Sequence, residues 1–134
     1  SPLAGGMLSG KYRRGEEPPE DSRWGAYAQN PAQRRRYTDA MFDAVEAIEP
    51  IAAEKGCTVS QFAVAWCMAQ PGITSPIIGP RTFEQWSGYY GALSYPWTGE
   101  DEAFANGLVA TGHASTPGYN DPQYPVDGRF PQVG

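Results

Sequence analysis

Histidine occurs once in this chain of 134 residues and cysteine only twice. A zinc cluster therefore has little to be built from, since such sites take about four His or Cys at short spacing. Cys57 and Cys67 have no ligand partners beside them, and two such thiols read as reduced residues of a cytosolic protein more readily than as a disulfide. His113, in a glycine-rich stretch with no Ser or Cys specified as its partner, reads as a surface residue. No metal site is expected. Positive charge is also short: 10 Lys and Arg stand against 15 Asp and Glu, leaving a net charge of -5. An acidic surface repels phosphodiester backbones and anionic headgroups, so neither nucleic acid nor membrane is expected as a partner. No apolar run approaches the roughly 20 residues of a membrane span, and no signal peptide is visible, although the sequence begins with Ser1 and not with Met. Together these absences point to the cytoplasm.

What is present is globular in character, with 40% apolar and 19% charged residues, enough for one domain at most. The opening SPLAGGMLSGKY is rich in small residues, with Gly5, Gly6 and Gly10, as in a loop whose backbone approaches something closely. Residues 13–31 are polar and rich in Pro and Gly, a long surface loop. A helix is expected from about Gln33 to Lys55, since Tyr37, Met41, Val45, Ile48 and Ile51 recur at helical spacing. Pro50 should kink it and Gly56 should stop it. A second helix starts at Thr58, with Gln61 completing a capping box. Its body is apolar on nearly every side and should be deeply buried. Ile73 to Gly79 is short, β-branched and bounded by turn residues, as expected of a buried strand. A third helix should begin near Thr82 with Phe83, Trp86, Tyr90 and Leu93 facing inward. A fourth, from Gly99 to Thr111, is capped by Thr98 and buries Phe104 and Leu108. The chain thus divides into residues 1–111 and an irregular tail, residues 112–134.

One strand among so many helices is the odd feature. A buried strand needs neighbours for its backbone groups. Its partners lie upstream of Ser1 or in another chain, which marks this sequence as a fragment.

Four blocks, in order and correctly spaced, then carry a resemblance: SPLAGGMLSGKY, PPEDSR, the helix and strand of IAAEKGCTVSQFAVAWCMAQPGITSPIIG, and PRTFEQ. Together they resemble the aldo-keto reductases, in the branch with bacterial aldehyde reductases and potassium-channel β subunits. The match runs roughly from Ser1 to Leu93. It implies an α/β fold, the C-terminal part of a (β/α)8 barrel. That part holds the loop after strand seven, strand eight and the final helices, and is mostly helical as a fragment. The family's catalytic Asp, Tyr, Lys and His fall upstream, so no catalytic residue is assigned here, and the segment needs the upstream part of the barrel to act.

The resemblance also implies NADP(H) as cofactor and a small carbonyl compound as substrate. Barrel enzymes place phosphate sites in the loops after strands seven and eight, the two loops this chain retains. The stretch Ser1, Pro2, Leu3, Ala4 and Gly5 matches the loop that straddles the pyrophosphate, and Lys11 and Arg23 match positions that clamp the cofactor. Gly79 and Arg81 lead into a helix start, where free amides and a guanidinium suit the 2′-phosphate. Gln85 matches a contact at the same end. The family's acidic-Asn pair for adenine is replaced by Gly88 and Tyr89.

Plainer readings stand beside these. Gly5 to Lys11 also spells G-x-x-x-x-G-K, but Tyr12 follows where a P-loop needs Ser or Thr for Mg²⁺. Gln85 can cap Thr82, Arg81 can be an ordinary helix-start arginine, and Lys11 and Arg23 can be solvated cations. Arg34, Arg35 and Arg36 read as a solvated helix start, and Trp66, Cys67 and Met68 as core. The parent activity implied is hydride transfer between NADPH and an aldehyde or ketone; the alternative is a non-catalytic nucleotide-sensing subunit of the same fold.

Overall fold

A computed structural model of the chain describes residues 1–28, 30 and 37–108. The tail expected at 112–134, the basic run 34–36 and the last residues of the fourth expected helix lie outside the described residues. Five α-helices are present among the described residues: α1 (Arg23–Tyr27), α2 (Asp39–Glu54), α3 (Val59–Ala69), α4 (Phe83–Gly88) and α5 (Gly99–Leu108). Two 3-10 segments, Ala4–Ser9 and Tyr90–Ser94, complete the set. No strand occurs among the described residues.

Helix α2 begins at Asp39, so the described part of the expected helix starts later than Gln33. It buries Met41, Phe42, Val45, Ile48 and Ala52 and stays helical through Pro50. Proline has no N–H to offer the Glu46 carbonyl, but Glu46 and Pro50 are both exposed, where water can take that role. The helix ends as its sequence requires. Gly56 takes φ 70°, its N–H donates to the Ala53 carbonyl, and the Cys57 N–H donates to the Ala52 carbonyl at 2.9 Å. These paired bonds are a Schellman motif, which favours glycine because other residues are strained at positive φ.

The chain then turns straight into α3. Thr58 Oγ1 accepts from the Gln61 N–H (3.1 Å), and Gln61 Oε1 accepts from the Thr58 N–H (3.0 Å), giving the capping box its spacing predicts. Helix α3 buries Val59, Phe62, Ala63, Val64, Ala65 and Cys67 and packs on α2, on the first 3-10 segment and on Tyr90–Ser94. Cys57 and Cys67 are free thiols, and burial pushes both above their ordinary pKa, away from the reactive thiolate.

Two apolar clusters result. One joins Met7, Tyr12 and Trp24 to Met41 and Phe42 of α2. The other joins Ile48 and Ala52 to Val59 and Phe62, with Tyr95, Trp97, Phe104 and Leu108 packed against it. Phe104 and Leu108 thus face inward as their spacing predicts.

Two expectations fail for one shared reason. Residues 73–79 form no strand; they run irregularly across the surface, with Ile77 89% exposed. The face expected to bury Phe83, Trp86, Tyr90 and Leu93 lies open, with Phe83 77% and Leu93 67% exposed. A strand is stable only when neighbours satisfy its backbone, and an amphipathic helix buries its face only against a second surface. The described residues supply neither. The polar stretch 13–31 departs in the opposite direction: it contains α1, and Trp24 is only 4% exposed.

Candidate functional site

The three residues before the first buried methionine, Met7, set the geometry of the first loop. Ala4, Gly5 and Gly6 all take positive φ (48°, 71° and 100°), which folds the chain back on itself. The turn uses its own amides: Ala4 N–H donates to the Ser1 carbonyl, Gly6 N–H to the Leu3 carbonyl at 2.8 Å, and Gly5 N–H to Ser1 Oγ at 3.3 Å. Ala4 is the one non-glycine residue with positive φ among those described. An L-residue in this region costs about 1–2 kcal/mol, so the turn is held by what packs on it.

Trp24 is what packs on it. A Cβ added to Gly5 would sit 3.4 Å from the Trp24 ring, and one added to Gly6 would meet Tyr12 at 3.6 Å and the Lys11 stem at 3.7 Å. Gly5 and Gly6 therefore allow a close approach, and in this structure the approaching groups are aromatic side chains. Met7 locks the turn from below, and Ser60 Oγ of α3 donates to the Leu8 carbonyl at 3.1 Å.

Trp24 is placed by α1. Ser22 caps this helix, with Oγ accepting from the Gly25 N–H at 3.1 Å. Gly25 is required there, since a Cβ would fall 2.1 Å from the Pro19 carbonyl oxygen. The bend at Pro19 that this allows carries Asp21, whose carbonyl accepts from Arg81 Nη1 at 3.1 Å. The second loop thereby reaches the first. Segment 19–24 carries Arg23 in the open, touches the Gly5 turn through Trp24 and holds Arg81 through Asp21.

The remaining positions can now be located. Ser1 is exposed and Pro2 and Leu3 are half-buried at the mouth of the turn. Lys11 is exposed, with Nζ 5.0 Å above the Tyr12 ring. Gly79 faces open space and has no positive φ, so its local backbone does not demand glycine. Gln85 is engaged locally: its N–H donates to Thr82 Oγ1 and its Oε1 accepts from the Arg81 N–H at 2.8 Å. The Gln85 side chain thus fixes the backbone of Arg81, a helix-start role that the Thr82 spacing anticipates. Arg81 and Gln85 come together with segment 19–24. Tyr89 lies elsewhere, lining a groove of about 300 Å³ with Trp86, Tyr90, Val64 and Met68.

Three structural residues escape a reading of the sequence. Trp24 hides in a polar loop. Arg14 donates to Asp39, Asp43 and Glu46 along one face of α2, while neighbouring Arg13 binds Glu49. The acidic spacing on α2 was a visible signal of a cationic partner, though it does not say which. Asp101 is fully buried and accepts from Lys55 Nζ (2.7 Å), Tyr95 Oη (3.2 Å) and both donors of Thr98. Burial and the Asp101 charge push Tyr95 up to about 12.

The glycine turn and the start of α4 are thus linked through segment 19–24, with Lys11 and Arg23 exposed. The aldo/keto reductase family model matches residues 1–104, and the chain belongs to that family. A probable voltage-gated potassium channel subunit beta of Arabidopsis thaliana is 40% identical over 79 residues, covering 59% of this chain and 24% of the relative. The similarly described protein of Oryza sativa subsp. japonica is 39% identical over 79 residues, with the same coverage. The chain spans about a quarter of the length of the curated relatives it matches. Among the described residues no helix is long and apolar enough to cross a membrane, and no three ligand-type side chains are grouped as a metal site would need.

Proposed function

We propose that this chain is the C-terminal part of an NADP(H)-dependent aldo-keto reductase barrel and holds the phosphate-bearing portion of the cofactor. The observation that carries the reading is the Arg81–Asp21 bond, which brings the two cofactor loops together through one short segment. The donor set fits a dinucleotide phosphate. Ser1 offers an exposed hydroxyl bound to the Gly5 amide, and Lys11 and Arg23 are exposed cations. Among the described residues the Gly5 amide is engaged only by the exposed Ser1 hydroxyl, so an incoming phosphate would trade one long bond for a charge-assisted one.

In this reading Ser1, Pro2, Leu3, Ala4 and Gly5 cradle the pyrophosphate, Lys11 and Arg23 close over it, and Gly79, Arg81 and Gln85 face the 2′-phosphate. Among the described residues Arg81 uses only one guanidinium nitrogen, on Asp21, and a planar fork suits a terminal phosphate. Gln85 acts as a positioning residue by holding the Arg81 backbone. The nicotinamide of the bound cofactor supplies the hydride that reduces an aldehyde or ketone. The acid catalyst lies upstream, and a chain without it should bind but not turn over. We propose a cytoplasmic location.

The names of the relatives favour a second reading, a nucleotide-sensing subunit of the same fold that does not catalyse. Carbonyl-dependent NADPH oxidation by the polypeptide that includes the upstream strands separates the two. Turnover with an aldehyde supports the reductase; saturable NADPH binding without turnover supports the sensor. Absence of NADPH binding contradicts both.

A further inference from the structure

The loop that precedes α1 leaves a small recess that the cofactor reading does not use. Its volume is about 80 Å³, and Trp24, Tyr27, Tyr37, Glu16 and Glu17 line it. The aromatic walls meet at steep angles: Tyr27 stands at 89° to Trp24 with centroids 5.6 Å apart, and Tyr37 at 47° and 5.5 Å. Neither glutamate is paired among the described residues. We infer that this recess is a binding site for a quaternary ammonium head group.

The size, the walls and the charge each narrow the choice. Whole small-molecule ligands fill roughly 300–1,000 Å³, so the recess takes a head group and leaves the rest of its ligand outside. It is still several times larger than the roughly 10–15 Å³ that one ordered water needs. Aromatic rings attract cations; Tyr27 and Tyr37 are only half-buried at the recess while Trp24 is almost wholly covered, and two exposed carboxylates give the same sign of field. The Tyr37 hydroxyl is held above its ordinary pKa mainly by burial, with Tyr12, Glu17 and Glu16 adding to it in that order. A guanidinium stacks best between parallel faces, and Trp24 lies parallel to neither neighbour. A metal ion would find two carboxylates and carbon walls. A round, weakly hydrated ammonium fits all three constraints.

The test titrates the full chain with choline and with 3,3-dimethylbutanol, its neutral isostere, at constant ionic strength, following ligand methyl protons by NMR. Choline methyls should move upfield by ring currents and saturate, with affinity about tenfold above the isostere. The double variant Glu16→Gln/Glu17→Gln, both exposed positions, should weaken choline several-fold and leave the isostere unchanged. Tyr27→Leu, checked by circular dichroism for its helix content, should abolish most of the upfield shift. Equal binding of both probes, no saturable shift with choline, or a choline affinity indifferent to the glutamate variants overturns the proposal.

Discussion

A carboxylate shut away from water must be hydrogen-bonded or protonated, and Asp101 takes the first course. Burial pulls its pKa upward, but the bonds from Lys55 and Thr98 outweigh this and hold it below the ordinary carboxylate value. A depressed folded-state pKa stabilises the fold above the unfolded carboxylate pKa, near ~3.9, and that contribution is lost as pH falls through the lower folded value. Stability followed by far-UV circular dichroism should therefore fall as pH drops below the ordinary carboxylate range, and Asp101→Asn should flatten that part of the profile. At neutral pH the same substitution leaves donors of Lys55, Tyr95 and Thr98 poorly matched, so urea unfolding should show a loss of about 1–3 kcal/mol. An unchanged profile and unchanged stability would mean that the Asp101 cluster does not hold α5 to the end of α2.

Among the elements, those whose signals are local were legible in the sequence. Thr58 and Gln61 specify the start of α3, Gly56 the end of α2, and the spacing of Met41, Val45 and Ile48 its buried face, because each depends on residues within a turn or two. The site was legible in part. The glycine turn and Arg81 were marked by residue type, but their junction through Asp21 depends on α1, which the Pro- and Gly-rich wording of residues 13–31 concealed. Gly25 is the residue on which that junction turns. Gly25→Ala would drive a methyl into the Pro19 carbonyl, so α1 must move and release Trp24 from Gly5 and Asp21 from Arg81. The expected cost is about 1–3 kcal/mol, with Trp24 more accessible to acrylamide quenching. Preserved stability and quenching would show that the 19–24 segment is not the joint described here.

For the whole molecule, the failed strand and the open helix face belong together. Ile73, Ile77, Phe83, Trp86, Tyr90 and Leu93 were legible as buried residues by type and spacing, yet they are exposed, because what would cover them is not among the described residues. Apolar patches of this extent promote association. The isolated chain should show concentration-dependent self-association in sedimentation velocity, reduced by the double substitution Ile77→Lys/Leu93→Lys. A strictly monomeric chain would contradict an uncovered face in solution. The two loops proposed to hold the cofactor carry Lys11 and Arg81. What remains testable on the loops is their charge. The most direct measurement is the affinity of the polypeptide with its upstream strands for NADPH and for NADH, before and after Arg81→Ala. Loss of a charge-assisted phosphate contact worth about 1.5–3 kcal/mol should weaken NADPH by roughly 10- to 150-fold and leave NADH within about twofold. Equal loss for both cofactors, or no loss for either, would contradict the assignment of Arg81 to the 2′-phosphate and with it the convergence of the two loops on one dinucleotide.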